Sequence, residues 1–413
     1  MPSSATDTSI IPLLKRIFPK GIAWSGYEKS KLLGMMSKDT NHGGEGKYLV
    51  VSISPTEGGS SNYQTAYANQ GPTQEKRFFV GHRTEYQLAR IKNLAIAKTM
   101  GDRGAIKKIV EHTFTRAGYA FGRAMAARVW AGAGGMLFRC ANSSTNTVTV
   151  TLANVTDMAK VEVGQWYQFA TDDGTAASPA GVLDNGKQLQ VVSKNPAAKT
   201  FDLSAKLNTV SGATTTMYVF RSGDYANCMT GMQGWAPIAD PTPGESFKGL
   251  DRTVGDIQKL SGYRVTITGE SKWSGISRAI SEGQAVSQGD YKHAFWNPID
   301  LNKFAQEIEA KTQVDVSTKH PGVGYQGIKT DTTAGPVVHF AEVDVPKGYV
   351  WIGNAEDMEL CTAGECPRVL DFDGHGKLMR VAGEDAVQYD LGAYGDFCPK
   401  ETSGPGNWLI VTL

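Results

Sequence analysis

The sequence predicts an α+β fold: one long helix, a few shorter ones, and strand-rich segments that include a small all-β domain. Three observations carry this expectation. Apolar residues recur at spacings of three and four over about 105–131, threonine-rich alternation fills 137–221, and 47 glycines stand among 413 residues. That glycine share exceeds the usual 7 per cent or so and supplies many turns. The length allows two or three compact units at roughly 150 residues each. Forty-two Lys and Arg against 41 Asp and Glu leave a formal charge of +1. No uniform field therefore draws the chain to nucleic acid or an anionic membrane, and any such contact must be local.

Residues 1–45 mix short apolar patches, at 10–14 and 32–36, with Pro, Gly, Ser and Lys and keep no sustained period, which reads as an extended arm. Asp7, Pro12, Lys15 and Arg16 break the apolar run that a secretory signal needs. Secretion is not expected, and no run of about 18 apolar residues is present to span a membrane. Strands are expected at 47–53 and 77–80, joined by a tip of about twenty Gly, Ser, Asn, Gln and Tyr-rich residues. Connections longer than about 12 to 15 residues without structure are uncommon in compact domains unless they serve a function. The hairpin therefore calls for a partner.

A further strand is expected at 86–91, followed by the long helix. Its stripe is Ile106, Val110, Phe114, Ala117, Phe121 and Ala124, and Lys108, His112, Arg116 and Arg123 lie on the far side. Gly118 and Gly122 each weaken it by about 1 kcal/mol relative to alanine, so packing must hold it straight. Beyond it, strands are expected at 147–152, 163–169, 188–192, 201–203 and 216–220, with turns at Asp173-Gly174 and Asn185-Gly186. Ile276, Ala279, Ile280 and Val286 suggest one helix, and Leu301, Phe304, Ala305 and Ile308 another after Asn297-Pro298. Strands return at 337–343, 349–352, 378–381, 387–391 and 408–413. No repeat of 20 to 50 residues occurs, which argues against a solenoid or propeller.

Chemical motifs are few. Gly181 to Lys187 has the glycine and lysine spacing of a phosphate loop, but Gln188 replaces the needed hydroxyl and a strand follows where a helix should begin. The segment reads as a turn. Gly132-Ala-Gly134-Gly135 follows a helix and is read as its terminator. Asp371, Asp373 and His375 cluster with Cys361, Cys366 and Cys398 nearby, yet the Cys361 to Cys366 spacing is wide and no second pair matches it. No metal, cofactor or catalytic residue is expected. The five cysteines are odd in number and scattered, which suits a reducing cytoplasm. The aromatics Trp166, Tyr167 and Phe169 are read as core in preference to a sugar or base platform.

The order of these segments resembles the major capsid proteins of tailed bacteriophages, with the Hong Kong 97-type shell fold. The resemblance spans nearly the whole chain and rests most on Met232-Gln-Gly-Trp-Ala-Pro237 and Ser246-Phe-Lys-Gly-Leu-Asp-Arg252. Phe295-Trp-Asn-Pro298, Gly324-Tyr-Gln-Gly-Ile328, Gly335-Pro-Val-Val338 and the close from Tyr389 to Leu413 support it. It implies an N-terminal arm at 1–45 and an extended E-loop at 46–85 that reaches over a neighbouring subunit. A peripheral domain at 86–137 would carry the spine helix, with a β-rich insertion domain at 138–222 and a connection at 223–255. An axial domain at 256–345 would meet its copies at five-fold and six-fold axes, and 346–413 would return to the peripheral domain.

The function so implied is a structural shell subunit, not an enzyme, that assembles into hexamers and pentamers around phage double-stranded DNA. Its partners would be itself, a scaffold protein, a portal and a decoration protein, with weak non-specific contact to the packaged DNA and none to membrane. It would be assembled in the host bacterial cytoplasm and reside in the virion capsid. Assembly contacts are expected at Glu57, Asn62, Tyr63, Lys76 and Arg77, and Lys108, Arg116 and Arg123 are candidates to face DNA. Lys47 and Lys76 flank the loop, but no partner for a lysine cross-link is identifiable. Since the sequence starts almost at the arm, a separate scaffold is implied. The alternatives are an encapsulin-type compartment, a metal-dependent hydrolase built on Asp371, Asp373 and His375, and a carbohydrate-binding adhesin using Trp166.

Overall fold

A computed structural model describes residues 30–40, 42, 44–54, 58–72, 74–94, 103–142, 144–175, 180–253, 260–309, 327–333, 335–370, 379–381, 383–400 and 404–413. The helices are α1 (Lys31–Met35), α2 (Tyr63–Ala68), α3 (Arg103–Trp130), α4 (Met232–Trp235), α5 (Lys272–Ser287) and α6 (Pro298–Glu309). Together with the sheets below they make the expected α+β fold.

A six-stranded mixed sheet lies at the centre, in the order Tyr263–Thr266, Leu409–Thr412, Tyr349–Gly353, His293–Trp296, Gly335–Ala341, Ile328–Thr332. Its central strands are apolar at nearly every position because both faces are covered, as period-two alternation requires. Ala294, Trp296, Val350, Ile352, Leu409 and Val411 point to one core with Ile276 and Ile280 of α5 and Phe304 of α6. Phe295, Trp351 and Ile410, the residues between them, point to a second core with Trp130 of α3. Helix α5 follows the expected stripe at Ile276, Ala279 and Ile280, but Val286 near its end is exposed.

The second sheet is organised on the fourteen-residue strand Ala386–Pro399. Arg83–Lys92 pairs with it over ten residues, and Met358–Thr362, Arg368–Val369 and Met379–Arg380 fill its remaining edges. The strand expected at 86–91 is thus longer at both ends. Helix α3 packs its Phe114, Ala117, Phe121, Met125 and Val129 between the sheets, within two residues of the expected bounds. It ends where Gly135 takes φ +81° and a Cβ on Gly134 would meet the Asp173 carbonyl oxygen at 2.0 Å. Only glycine allows that approach, so the glycines are indeed the terminator.

Residues 30–39 correct the expectation of an arm running to 45. Ser30 caps α1, Leu32 and Leu33 are fully buried, and Ser37–Asp39 pairs parallel with Met358–Thr362. The anchor is Glu342: its Oε1 accepts from Ser30 Oγ at 2.5 Å, Lys31 N at 2.9 Å and Trp130 Nε1 at 3.2 Å. Residues 1–29 lie outside the described residues.

Burial pushes the Glu342 carboxyl from 4.5 up to about 7, against the pull of its Ser30 and Trp130 donors. The folded chain therefore holds this proton more tightly than the unfolded chain. The stability it contributes is fully present below pH 4.5 and declines as pH rises toward about 7. His339 acts in the opposite sense: burial lowers it to about 3, so acid costs stability below its ordinary 6.5. Glu342→Gln is expected to remove a fall of order 1–3 kcal/mol between pH 5 and 7 relative to the parent, read from urea unfolding at each pH.

Between Met136 and Arg221 the chain forms a six-stranded antiparallel sheet in the order Met136–Arg139, Tyr218–Arg221, Trp166–Ala170, Leu189–Asn195, Thr200–Leu203, Thr149–Thr151. It has its own core, in which Phe138, Tyr167 and Phe201 meet edge to face at 5.6–6.0 Å. Its exit is tied to the main body by buried charge. Arg128 pairs with Asp224 and lies 3.5 Å from Glu85, while Arg221 pairs with Glu85 and donates from Nε to Asp224 at 2.9 Å.

Candidate assembly interface

The two faces of the hairpin Gly46–Ser54 and Gln74–Gly81 differ. Register pairs Leu49 with Phe78 and Lys47 with Val80 on one face and Tyr48 with Phe79 and Val50 with Arg77 on the other. The first face is buried: Phe78 packs on Trp235 at 5.9 Å and Lys47 pairs with Glu359. The second is open. Tyr48 is 62% exposed and Val50 is 50% exposed, Phe79 lies 4.9 Å from Tyr48, and the Arg77 guanidinium sits 5.7 Å over the Tyr48 ring. An apolar strand face left in water is a feature of surfaces that meet another protein.

The tip is not structureless as expected, because it contains α2. Asn62 caps it, its Oδ1 accepting from Gln64 N at 2.9 Å and Thr65 N at 3.3 Å. No residue of α2 is buried in the chain. Tyr63 and Tyr67, four apart and so on one face, stack with ring centroids 6.4 Å apart, Tyr63 being 81% exposed. A six-residue helix is far too short to persist in water on its own propensity.

The structure thus brings Tyr63 and Arg77 onto exposed hairpin surface, gives Asn62 a capping duty, and leaves Lys76 exposed beside the buried Val51 position. Glu57 lies outside the described residues. Sequence reasoning missed Tyr48, Val50 and Tyr67. The signal was there in 47–53, where apolar residues fall on both faces of a strand that has cover for only one.

On α3, His112 and Arg116 are exposed and Tyr119 is half-exposed, while the Lys108 side chain lies outside the described residues. Arg123 must be removed from the expected basic face. Its two terminal nitrogens clasp Asp344, one of them at 2.8 Å, and the pair is largely buried. It joins α3 to the turn that also carries Glu342, so its charge is already neutralised.

Other chemical candidates resolve as follows. Lys187 of the phosphate-loop lookalike pairs with Asp184 at 3.6 Å and donates to the Thr209 carbonyl, and the strand Leu189–Asn195 follows. Tyr167 and Phe169 are core, but Trp166 is not, being 46% exposed. Asp371, Asp373 and His375 lie outside the described residues. Cys361 is joined to Cys398 by a disulfide, S–S 2.09 Å, a pairing 37 residues apart that the Cys361 to Cys366 spacing had hidden.

No protein-family model and no curated protein matches the sequence. Among solved structures the chain resembles the subunit of the cyanophage A-1(L) capsid asymmetric unit, with TM-score 0.50, 9% identity, and 93% and 92% of the two chains covered. The chain has the Hong Kong 97-type capsid fold. Also similar are the capsid of a native GTA particle, TM-score 0.44 at 8% identity over 96% and 91%, and a chain of Gordonia phage Cozz, TM-score 0.39 at 11% over 100% and 97%.

Proposed function

We propose that the chain is the major capsid protein of a tailed bacteriophage, forming hexamers and pentamers that close an icosahedral shell around double-stranded DNA. The observation that carries this is the hairpin: in a capsid-type fold it exposes Tyr48, Val50, Tyr63 and Tyr67 together, and nothing in its own chain covers their outward face among the described residues. Ordering backbone costs roughly 1–2 kcal/mol per residue, which a neighbouring subunit can offset by burying that face. In this reading the hairpin is the E-loop, α3 the spine helix, residues 1–29 belong to the N-arm, and 138–222 is an insertion domain. The activity is assembly.

Scaffold, portal and decoration proteins are the partners this reading calls for, with assembly in the host cytoplasm and residence in the virion. The test is expression with and without a candidate scaffold, followed by size exclusion and negative-stain microscopy. Megadalton particles or capsomers are expected, whereas a solitary monomer under all assembly conditions would refute the proposal. DNA binding falls to the Arg116 region. Arg116→Glu is expected to shallow the salt dependence of DNA retention by about one unit of log–log slope for each phosphate that residue 116 no longer neutralises, measured as DNA release from filled particles across salt concentrations.

A further inference from the structure

Where the base of the hairpin meets the second sheet, four donor side chains converge. Glu359 and Cys398 are direct partners across the ladder, and Cys361 is two residues along from Glu359 on the same face. The loop after Ser37–Asp39 brings in His42. The ligand-type atoms of His42, Glu359 and Cys361 all lie within 4.8 Å of one another, and Glu359 Oε1 is 3.5 Å from Cys361 Sγ and 3.7 Å from Cys398 Sγ. Glu359, Cys361 and Cys398 are all buried.

We propose that, with Cys361 and Cys398 as a dithiol, their two thiolates, the Glu359 carboxylate and the His42 imidazole bind one zinc-class divalent cation. Donors about 2.0–2.3 Å from a tetrahedral zinc stand roughly 3.3–3.8 Å apart; Glu359 Oε1 already lies in that range from each sulfur, and the sulfurs, bonded at 2.09 Å in the disulfide, part once it is reduced. Two thiolates and a carboxylate around a dication leave one negative charge. Lys47, already paired with Glu359, supplies the balancing positive charge inside the same cluster. A carboxylate stands beside the His42 ring, Asp39 Oδ2 being 3.1 Å from Nε2, where a metal-binding imidazole would use it as an orienting partner.

A cysteine pair in a reducing compartment is a dithiol, for which metal ligation is the commoner structural use. The expectation of no metal rested on Cys361 and Cys366 as neighbours in sequence. The ladder supplies Cys398 and Glu359 in place of Cys366. The bound ion would fix the loop at His42, which leads into the hairpin, to the strands Met358–Thr362 and Ala386–Pro399, so it concerns how the chain enters the hairpin and not whether shells form.

The full-length chain is to be reduced without air by a water-soluble phosphine. The S–S bond accepts two electrons from phosphorus, water gives its oxygen to the phosphine oxide, and its two protons go to the thiols. Cobalt(II) is then titrated, each bound thiol releasing its proton. One cobalt per chain is expected, with a thiolate-to-cobalt charge-transfer band that zinc displaces. Cys361→Ser and Cys398→Ser should each cut the band to about half or less and together abolish it, while Asp39→Asn should weaken binding roughly 10- to 100-fold. His42→Ala, which lies outside every helix, strand and core cluster, should bind at least about tenfold more weakly. Absence of cobalt uptake by the reduced parent, a band undiminished in Cys398→Ser, or unchanged affinity in His42→Ala would each overturn the assignment. Particle formation is scored separately, so loss of this site leaves the shell proposal standing and the reverse.

Discussion

Replacing Arg128 with methionine is expected to destabilise the chain by about 3–5 kcal/mol, the usual result of removing one member of a buried ion cluster. Arg128 is 2% exposed, Glu85 is 4% exposed and Asp224 is also buried, and water cannot solvate carboxylates at that depth. Arg221 alone would have to satisfy both. The cluster sits where α3, the strand Arg83–Lys92 and the last strand of the β-rich unit meet, so the loss should loosen that unit as well as lower global stability. Urea unfolding measures the first, and limited proteolysis between residues 131 and 225 the second. A change under about 1 kcal/mol would show that the charges are solvated and the junction is not built as described. Adding Glu85→Leu should recover part of the loss, because the variant no longer leaves that carboxylate stranded.

The second large effect concerns assembly. Tyr63→Ala with Tyr67→Ala removes two exposed rings that pack on each other and bury nothing in their own chain. Stability of the isolated subunit should stay within about 0.5 kcal/mol of the parent. Aromatic anchors at interfaces are worth about 2 kcal/mol or more each, so one lost anchor should raise the concentration needed for particles about 30-fold and both together roughly 800-fold. Light scattering of assembly reactions reads this directly. Unfolding of the variant chain, or assembly at the parent concentration, would remove the tip from the interface.

Much of this fold was legible because long, one-sided patterns survive any context. The stripe of Phe114, Ala117 and Phe121 needed only helical spacing, whereas the alternation at 147–152 yields a strand over Thr149–Thr151 alone. The pairing of Arg123 with Asp344, 221 residues away, had no local signal. A basic residue on a helix face reads alike whether it meets water, phosphate or a distant carboxylate. Glu342 was hidden for the same reason, since a lone glutamate in an apolar strand does not announce that an incoming helix start will donate to it. The hairpin tip failed differently: α2 is too short and too polar for periodicity to reveal, and its only local mark is the capping Asn62. Tyr48 and Val50 were legible as a strand with two apolar faces, but not as the uncovered ones. The Cys361 and Cys398 pairing depends on ladder register, which cysteine spacing does not contain.

The proposal that the hairpin is ordered by neighbouring subunits is tested most directly by amide hydrogen exchange at residues 58–72, compared between free subunits and assembled particles. A two-stranded ribbon is marginal alone, so these amides should exchange rapidly in the free chain. In particles they should slow by roughly 100-fold or more, equivalent to about 2.8 kcal/mol of added protection. Equal protection in both states would contradict the account, since the hairpin would then need no neighbour to hold it.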